Sequence, residues 1–240
     1  MILAAFLGGF VGLVLGVLGG GGSTLTVPLL VLGLGFDEKH AIAAGLFVVA
    51  VTAMSGAIPR WLAGAVDWRA AAIFGACGAA ASWTASFAAH DVDPAFQMHL
   101  LAATMAIAGV LLLVRKSTGT PHRAPWPRVL ATATAAGALT GITGVGGGFI
   151  LVPSLVLGAG LVFDRAVATS LVVITCNAVF GWLGAADRMS AFTPQVLVFT
   201  AGAIVVAVVS GRHSPKIAPL VRQRVLAVLL CSVGIVLALR

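Results

Sequence analysis

The stretch GVLGGGGSTLTVP, residues 16–28, interrupts an apolar run with four consecutive glycines, Gly19 to Gly22, followed by Ser23 and Thr24. A second stretch, GITGVGGGFILVP at residues 141–153, repeats the arrangement. Pro28 and Pro153 are 125 residues apart, and the same offset pairs Gly12 with Gly137, Gly16 with Gly141, Gly19 with Gly144, Gly21 with Gly146 and Gly22 with Gly147. It continues through Gly33 and Gly158, Ala41 and Ala166, and Leu46 and Leu171 to Gly56 and Gly181. Between residues 12 and 56, 18 of 45 positions are identical to their counterparts, against roughly a tenth expected from so biased a composition. The chain is therefore two copies of one unit, residues 1–114 and 129–240, joined by a basic linker at 115–128.

Composition decides what kind of unit this is. Of 240 residues 60% are hydrophobic and 9% charged, and the mean hydropathy is +1.12. Apolar runs cover residues 2–36, 41–58, 70–89, 95–114, 129–163, 166–186, 192–211 and 225–239. Several reach the ~20 residues that cross a ~30 Å hydrocarbon core as a helix. They are apolar on every face and lack the alternation of a membrane barrel strand, so helices are expected. The reading is an all-α polytopic membrane protein whose surroundings are the lipid bilayer.

A net charge of +7 and a pI near 10.7 would suggest nucleic acid in a soluble chain. Here the bases gather in two connecting segments and act as topology signals, so no nucleic-acid partner is expected. Cys77, Cys176 and Cys231 stand singly in apolar runs without disulfide or zinc spacing, and no metal or cofactor is expected. No Lys or Arg precedes the first apolar run, which is therefore read as retained and not as a secretory signal.

The linker RKSTGTPHRAPWPR carries Arg115, Lys116, Arg123 and Arg128 without an acid, and the segment GRHSPKIAPLVRQR, residues 211–224, carries Arg212, Lys216, Arg222 and Arg224. Both belong on the cytoplasmic side by the positive-inside tendency. Counting spans from these two loops makes residues 129–163 begin and end inside, and residues 2–36 begin and end outside. Each glycine segment must then turn back within the membrane. The lengths agree: residues 3–18 make a helix of about 24 Å and residues 24–35 one of about 18 Å, both short of the core. The expected fold is two inverted-topology repeats, each a glycine-broken helix hairpin followed by three transmembrane helices. Both chain termini would face outside a bacterial cytoplasmic (inner) membrane.

Irregular backbone at membrane depth is tolerated only when buried in protein or lining a wet cavity. The helices that restart near Ser23 and Gly148 have unpaired N–H groups in their first turns, and those ends attract anions. Glycine lets an anion approach the backbone, and Ser23 and Thr24 add hydroxyl donors. The candidate substrate-binding residues are Gly20, Gly21, Gly22, Ser23 and Thr24 of the first break and Gly146, Gly147 and Gly148 of the second. Asn177, inside an apolar helix, needs a partner there, and Thr169, Ser170 and its counterpart Thr52 complete the set. No Lys-Ser or Lys-Thr follows either glycine cluster, so a phosphate-binding P-loop is not indicated.

The doubled GxxxGxxGxGG…P pattern, with the stretch ATSLVVITCNAVFG at residues 168–181, resembles the sulfite exporter TauE/SafE family of membrane permeases. The resemblance covers nearly the whole chain. It implies transport of a small anion such as sulfite, thiosulfate, sulfoacetate or another organosulfonate, with a carrier of small carboxylates or an anion-selective channel as alternatives. The first half reads AAGLFVVAVTAMSG at residues 43–56, with Gly45 and Thr52 where the second has Ser170 and Asn177. The second half should thus supply more donors.

No charged residue falls clearly in mid-helix, so a buried carboxylate relay is not expected. If protons or another ion couple to transport, the candidates are the peripheral His40, Asp37, Asp164 and His99. Trp61, Trp68, Trp126 and Trp182 lie near helix ends as an aromatic belt would, and Trp83 is read as a packing residue. The small-xxx-small faces at Gly12 and Gly137 suit close helix packing and leave a homodimer open. No His-Glu-x-x-His or Gly-x-Ser-x-Gly motif is present, and an enzyme is not indicated.

Overall fold

The computed structural model describes residues 1–88, 93–114, 124–143, 147–184, 193–213 and 217–238. These residues are almost wholly helical and contain no strand. The first half comprises α1 (Ile2–Leu18), α2 (Gly22–Pro28, running on as a π-helical turn at Leu29–Gly33), α3 (Glu38–Leu62), α4 (Trp68–Ala88) and α5 (Pro94–Val114). The second comprises α6 (Trp126–Thr143), α7 (Gly148–Leu157), α8 (Phe163–Gly184), α9 (Pro194–His213) and α10 (Pro219–Ala238). Pro28 has no N–H to give and its ring crowds the carbonyl four residues back, which accounts for the wider π register that follows it.

Proline also sets where three helices begin. Pro94, Pro194 and Pro219 each occupy the first helical position, where the missing N–H costs nothing and the fixed φ suits a helix. Helix α10 consequently starts earlier than its apolar run and carries Arg222 and Arg224 into the helix, where the sequence suggested a loop.

The repeat is visible in the packing. Gly12 of α1 lies against the Ala203 carbonyl of α9, and its counterpart Gly137 of α6 lies against the Gly78 carbonyl of α4. Shifting the contact between Gly16 and Ala207 by the same 125 positions gives the contact between Gly141 and Ser82. Each half thus lays its opening helix along a later helix of the other half, in parallel. A side chain at any of these glycines would collide with backbone, which is why small residues recur there. Gly12 and Gly137 are therefore occupied inside one chain and do not offer a dimer face.

Helices α3 and α8 are each other's counterparts and run antiparallel, with Gly56 beside Leu171 and Gly181 beside Leu46. Helices α5 and α10 do the same, Gly109 meeting Ala227 and Cys231 while Gly234 meets Ala102 and Ala106. The Cys231 thiol lies 3.9 Å from the carbonyl of Ala106, its counterpart at the 125-residue offset. Gly35 and Gly160, also counterparts, share φ 71°. They close the two half-helices alike, through Phe36 N–H to Leu30 O at 3.2 Å and Leu161 N–H to Leu155 O at 3.1 Å.

Among the described residues five helical stretches are long and apolar enough to cross a bilayer: His40–Leu62, Phe96–Val114, Phe163–Leu183, Pro194–His213 and Pro219–Ala238. Helix α4 is not among them; it is rich in Ala, Gly and Ser, which lowers its hydropathy. The exterior is apolar, with Ile2, Phe6, Leu32, Leu62, Val114 and Phe180 all largely exposed. In water so much exposed apolar surface would be a liability, whereas in lipid it is the expected exterior. Trp61, Trp68 and Trp126 are exposed at helix ends. Trp83 is 68% exposed as well, so it belongs to the surface and not to the packed interior.

Candidate functional site

The two glycine breaks meet. Helix α1 ends as Gly19 takes φ 68° and returns its N–H to the Leu15 carbonyl at 2.9 Å. Helix α2 restarts from Gly21 at φ 80°, and α7 from Gly147 at φ 63°. Both values lie in the left-handed region, where a side chain is disfavoured. A Cβ placed on Gly148 would overlap the Ser23 hydroxyl, and one on Gly20 would overlap the Gly148 carbonyl oxygen. The first turns of α2 and α7 therefore touch, one from each half of the chain. Neither Gly21 nor Gly147, as N-cap residues, can provide a side-chain cap to the turn that follows. The positive ends of two half-helices converge on one point.

Three of the candidate hydroxyls are unsatisfied. The oxygens of Ser23, Thr24 and Thr52 are buried and make no hydrogen bond. A buried hydroxyl without a partner costs ~1–3 kcal/mol, so the Ser23 and Thr24 hydroxyls in the first turn of α2 call for a polar occupant there. Thr26, one turn on in α2, shows the contrasting case: its hydroxyl donates to the Gly22 carbonyl at 2.9 Å. Asn177 of α8, the counterpart of Thr52, is half-buried and makes no side-chain hydrogen bond among the described residues.

Helix α8 lines both breaks with one face. Val167 rests on Gly19, and Ile174 lies 3.6 Å from a Cβ built at Gly148. Between them, the Ser170 hydroxyl donates to the Gly19 carbonyl at 2.8 Å and to the Val167 carbonyl at 2.9 Å. Asn177 continues this face one turn beyond Ile174. Thr169 points elsewhere, its hydroxyl accepting the Asp67 N–H at 3.0 Å where α3 connects to α4. Ser170 and Thr169 thus hold backbone in place. The unsatisfied hydroxyls of Ser23, Thr24 and Thr52 belong to the first half.

Gly22 packs on α1, with Leu15 Cγ at 2.6 Å and the Val11 carbonyl at 2.9 Å from a built Cβ, while Gly147 is confined by the Thr140 side chain. Gly146 lies outside the described residues. His40 and Asp37 face each other at 3.3 Å, both well exposed at a helix end.

Sequence reasoning missed Arg222, reading it as a loop charge that marks topology, and gave Arg60 no role in the site. Arg222 is 2% exposed, and Arg60 reaches inward to the Gly16 carbonyl. The signal available was Pro219, since a proline at a helix start places Arg222 in a first turn, where the macrodipole disfavours a cation unless something compensates it.

Comparison with known proteins points to membrane transport. A Xylella fastidiosa (strain 9a5c) protein described as a "probable membrane transporter protein" is 36% identical over 176 residues, 70% of this chain and 67% of its own length. A second from the Temecula1 strain, of the same description, is 33% identical over 174 residues, again 70% of this chain and 67% of the relative. Bacillus subtilis YdhB, described in the same words, is 27% identical over 192 residues, 77% of each chain. No solved structure matches the chain. The profile of the sulfite exporter TauE/SafE family matches residues 4–237. With nearly its whole length covered, the chain belongs to the sulfite exporter TauE/SafE family.

Proposed function

We propose that this membrane transporter carries a small sulfur-containing anion, such as sulfite, thiosulfate, sulfoacetate or another organosulfonate, across the bacterial cytoplasmic membrane. The observation that carries the reading is the junction of α2 and α7, where two helix N-termini meet beside the unsatisfied hydroxyls of Ser23 and Thr24. Such a point offers backbone N–H groups, partial positive charge and hydroxyl donors to an oxyanion. The anion would rest between the Ser23 and Gly148 turns, with Thr52 and Asn177 on its flanks.

Counterpart helices that run antiparallel and each span a bilayer place their symmetry axis in the membrane plane, which is the inverted repeat of many secondary carriers. Rocking of helix groups drawn from both halves about the junction would open the site to each side in turn. The α1–α9 and α6–α4 pairs would then move as rigid units, because their backbones are in contact along the glycine faces.

The test is thermal unfolding of the detergent-purified protein against sulfite, thiosulfate, sulfoacetate, taurine and small carboxylates, followed by flux of the stabilising anion into proteoliposomes. A ligand at 100 times its Kd adds about 2.7 kcal/mol to the folded state. Stabilisation by a sulfur anion, lost in Asn177→Ala and Ser23→Ala, supports the site. Stabilisation by carboxylates alone overturns the substrate class. Full transport by both Gly21→Val and Gly147→Val overturns the site, and a flux that never saturates and follows voltage replaces the carrier with a channel.

A further inference from the structure

The end of α1 is held by side chains from two other helices. The last four carbonyls of an α-helix have no partner within it. In α1 the Leu15 carbonyl accepts the Gly19 N–H. The Gly16 carbonyl accepts from Nη2 of Arg60, in the last turn of α3, and the Gly19 carbonyl accepts from the Ser170 hydroxyl of α8 at 2.8 Å. Val167, three residues earlier in α8, lies under Gly19 with its Cα 2.9 Å from a Cβ built there, and it is 1% exposed. Gly211 of α9 flanks the guanidinium, a built Cβ falling 3.2 Å from Nη1. The antiparallel pair of α3 and α8 thus grips the end of the α1–α9 pair through the Gly16 and Gly19 carbonyls.

Both donors have a second acceptor in their own helix. Arg60 Nη1 donates to the Gly56 carbonyl at 2.8 Å, and the Ser170 oxygen lies 2.9 Å from the Val167 carbonyl. A hydroxyl has one hydrogen to give, so Ser170 divides it between Gly19 and Val167. If α1 withdraws, Ser170 turns to Val167 and Arg60 keeps Gly56, and neither side chain is stranded. That removes most of the penalty that makes a buried polar contact permanent. The Gly16 and Gly19 carbonyls then need water instead, so separation and wetting of this region go together. The grip is also one-sided. The counterparts of Arg60 and Ser170 at the 125-residue offset are Ala185 and Gly45, which carry no side-chain donor, whereas Gly16 and Gly19 recur as Gly141 and Gly144. Both copies have the carbonyl positions, and one copy has the donors.

We propose that Arg60 and Ser170 form a releasable latch that holds the end of α1 against α3 and α8 and closes the transport pathway on one side of the membrane only. Release lets the first glycine break separate from α8, and the second copy lacks this donor pair. The latch therefore biases the carrier toward the state closed at this end. The inference rests on the alternating-access reading above and adds to it the residues that set the balance between its two states.

The latch is read by the thiol of Val167→Cys, which Gly19 covers while the latch is closed. Cys77, Cys176 and Cys231 are replaced by alanine in the full-length protein, so that this thiol stands alone. A membrane-impermeant maleimide is applied to right-side-out and to inverted membrane vesicles, and the labelling rate follows the open population. Ser170→Ala should raise that rate about fivefold, the worth of one neutral hydrogen bond, and Arg60→Gln about tenfold or more, since its bond is charge-assisted. If Arg60→Gln does not fold, Arg60→Lys, which keeps the charge and loses the fork that reaches both carbonyls, should raise the rate in its place. The rise should occur in one vesicle orientation only, and Leu155→Cys, as deeply buried in α7, should keep its parent rate. The proposal is overturned if Ser170→Ala and the Arg60 variant both leave the Val167→Cys rate unchanged. It is equally overturned if Leu155→Cys accelerates to the same extent or both vesicle orientations respond alike, which makes the two bonds ordinary packing. The thiol readout needs no substrate, so failure of the carrier reading is seen separately, as thiosulfate flux that follows voltage and never saturates.

Discussion

Replacing Gly148 with alanine places one methyl group where the two half-helices touch. A Cβ there overlaps the Ser23 hydroxyl and lies 3.0 Å from Ser23 Cβ, against ~3.5–4.0 Å for an unstrained carbon pair. The hydroxyl can rotate aside, but the Cβ retreats only if α2 moves, so the first turns must part by roughly half an ångström or more. Two energies oppose each other. Alanine is favoured over glycine in a helix by up to ~1 kcal/mol, and overpacking costs about 1–3 kcal/mol. The net loss of stability is about 0–2 kcal/mol, a change of a few degrees in the unfolding midpoint for a chain of this size. Transport suffers more. The same displacement pulls apart N–H groups that must converge on one anion, and two lost charge-assisted hydrogen bonds amount to ~3 kcal/mol, roughly a hundredfold in affinity.

The assay is thiosulfate flux in proteoliposomes beside thermal unfolding, for Gly148→Ala, Ser23→Gly and the double variant. Ser23→Gly removes the obstacle, so stability in the double variant should exceed the sum of the single effects by about 1 kcal/mol or more. Flux should stay low, because the Ser23 hydroxyl is gone. Wild-type flux in Gly148→Ala, or strictly additive stabilities, would refute the contact between the two turns as the functional junction.

Ser170→Ala removes the hydroxyl that ties α8 to the Gly19 carbonyl and should cost about 1 kcal/mol in thermal or denaturant unfolding. Gly12→Ala and Gly137→Ala drive a methyl into a helix backbone that cannot rotate away and should each cost about 1–3 kcal/mol. Gly75→Ala in α4 is the control: nothing lies within 4 Å of a Cβ there, and it should be neutral or stabilising by up to ~1 kcal/mol. Thr52→Val keeps the volume and removes an unsatisfied hydroxyl, so it should stabilise the empty protein by about 1 kcal/mol or more while weakening anion binding; unchanged anion affinity would place Thr52 outside the site.

Much of this architecture was legible because it is written in local terms. The apolar runs and the two glycine clusters gave the helical class and the breaks at Gly19 to Gly22 and Gly147 to Gly148. Helix ends were less legible where proline starts a helix ahead of its apolar run, as at Pro219. The site was half legible. Ser23, Thr24 and Thr52 have buried and unsatisfied hydroxyls, whereas Thr169 and Ser170 turn out to hold the backbone. A hydroxyl's role depends on which carbonyl or N–H another helix brings to it, and residue type does not encode that.

By itself, then, the chain's sequence determined that it is helical, that it is duplicated, and that each copy is broken where glycine permits backbone no other residue favours. Those properties follow from side-chain polarity and backbone sterics within a few residues. Tertiary structure alone decided that α1 pairs with α9 and α6 with α4, that the two breaks meet at Ser23 and Gly148, and that Arg60 and Arg222 turn inward. Each of these depends on contacts between segments far apart in the chain, where close packing of small residues selects one partner surface among many of equal hydropathy.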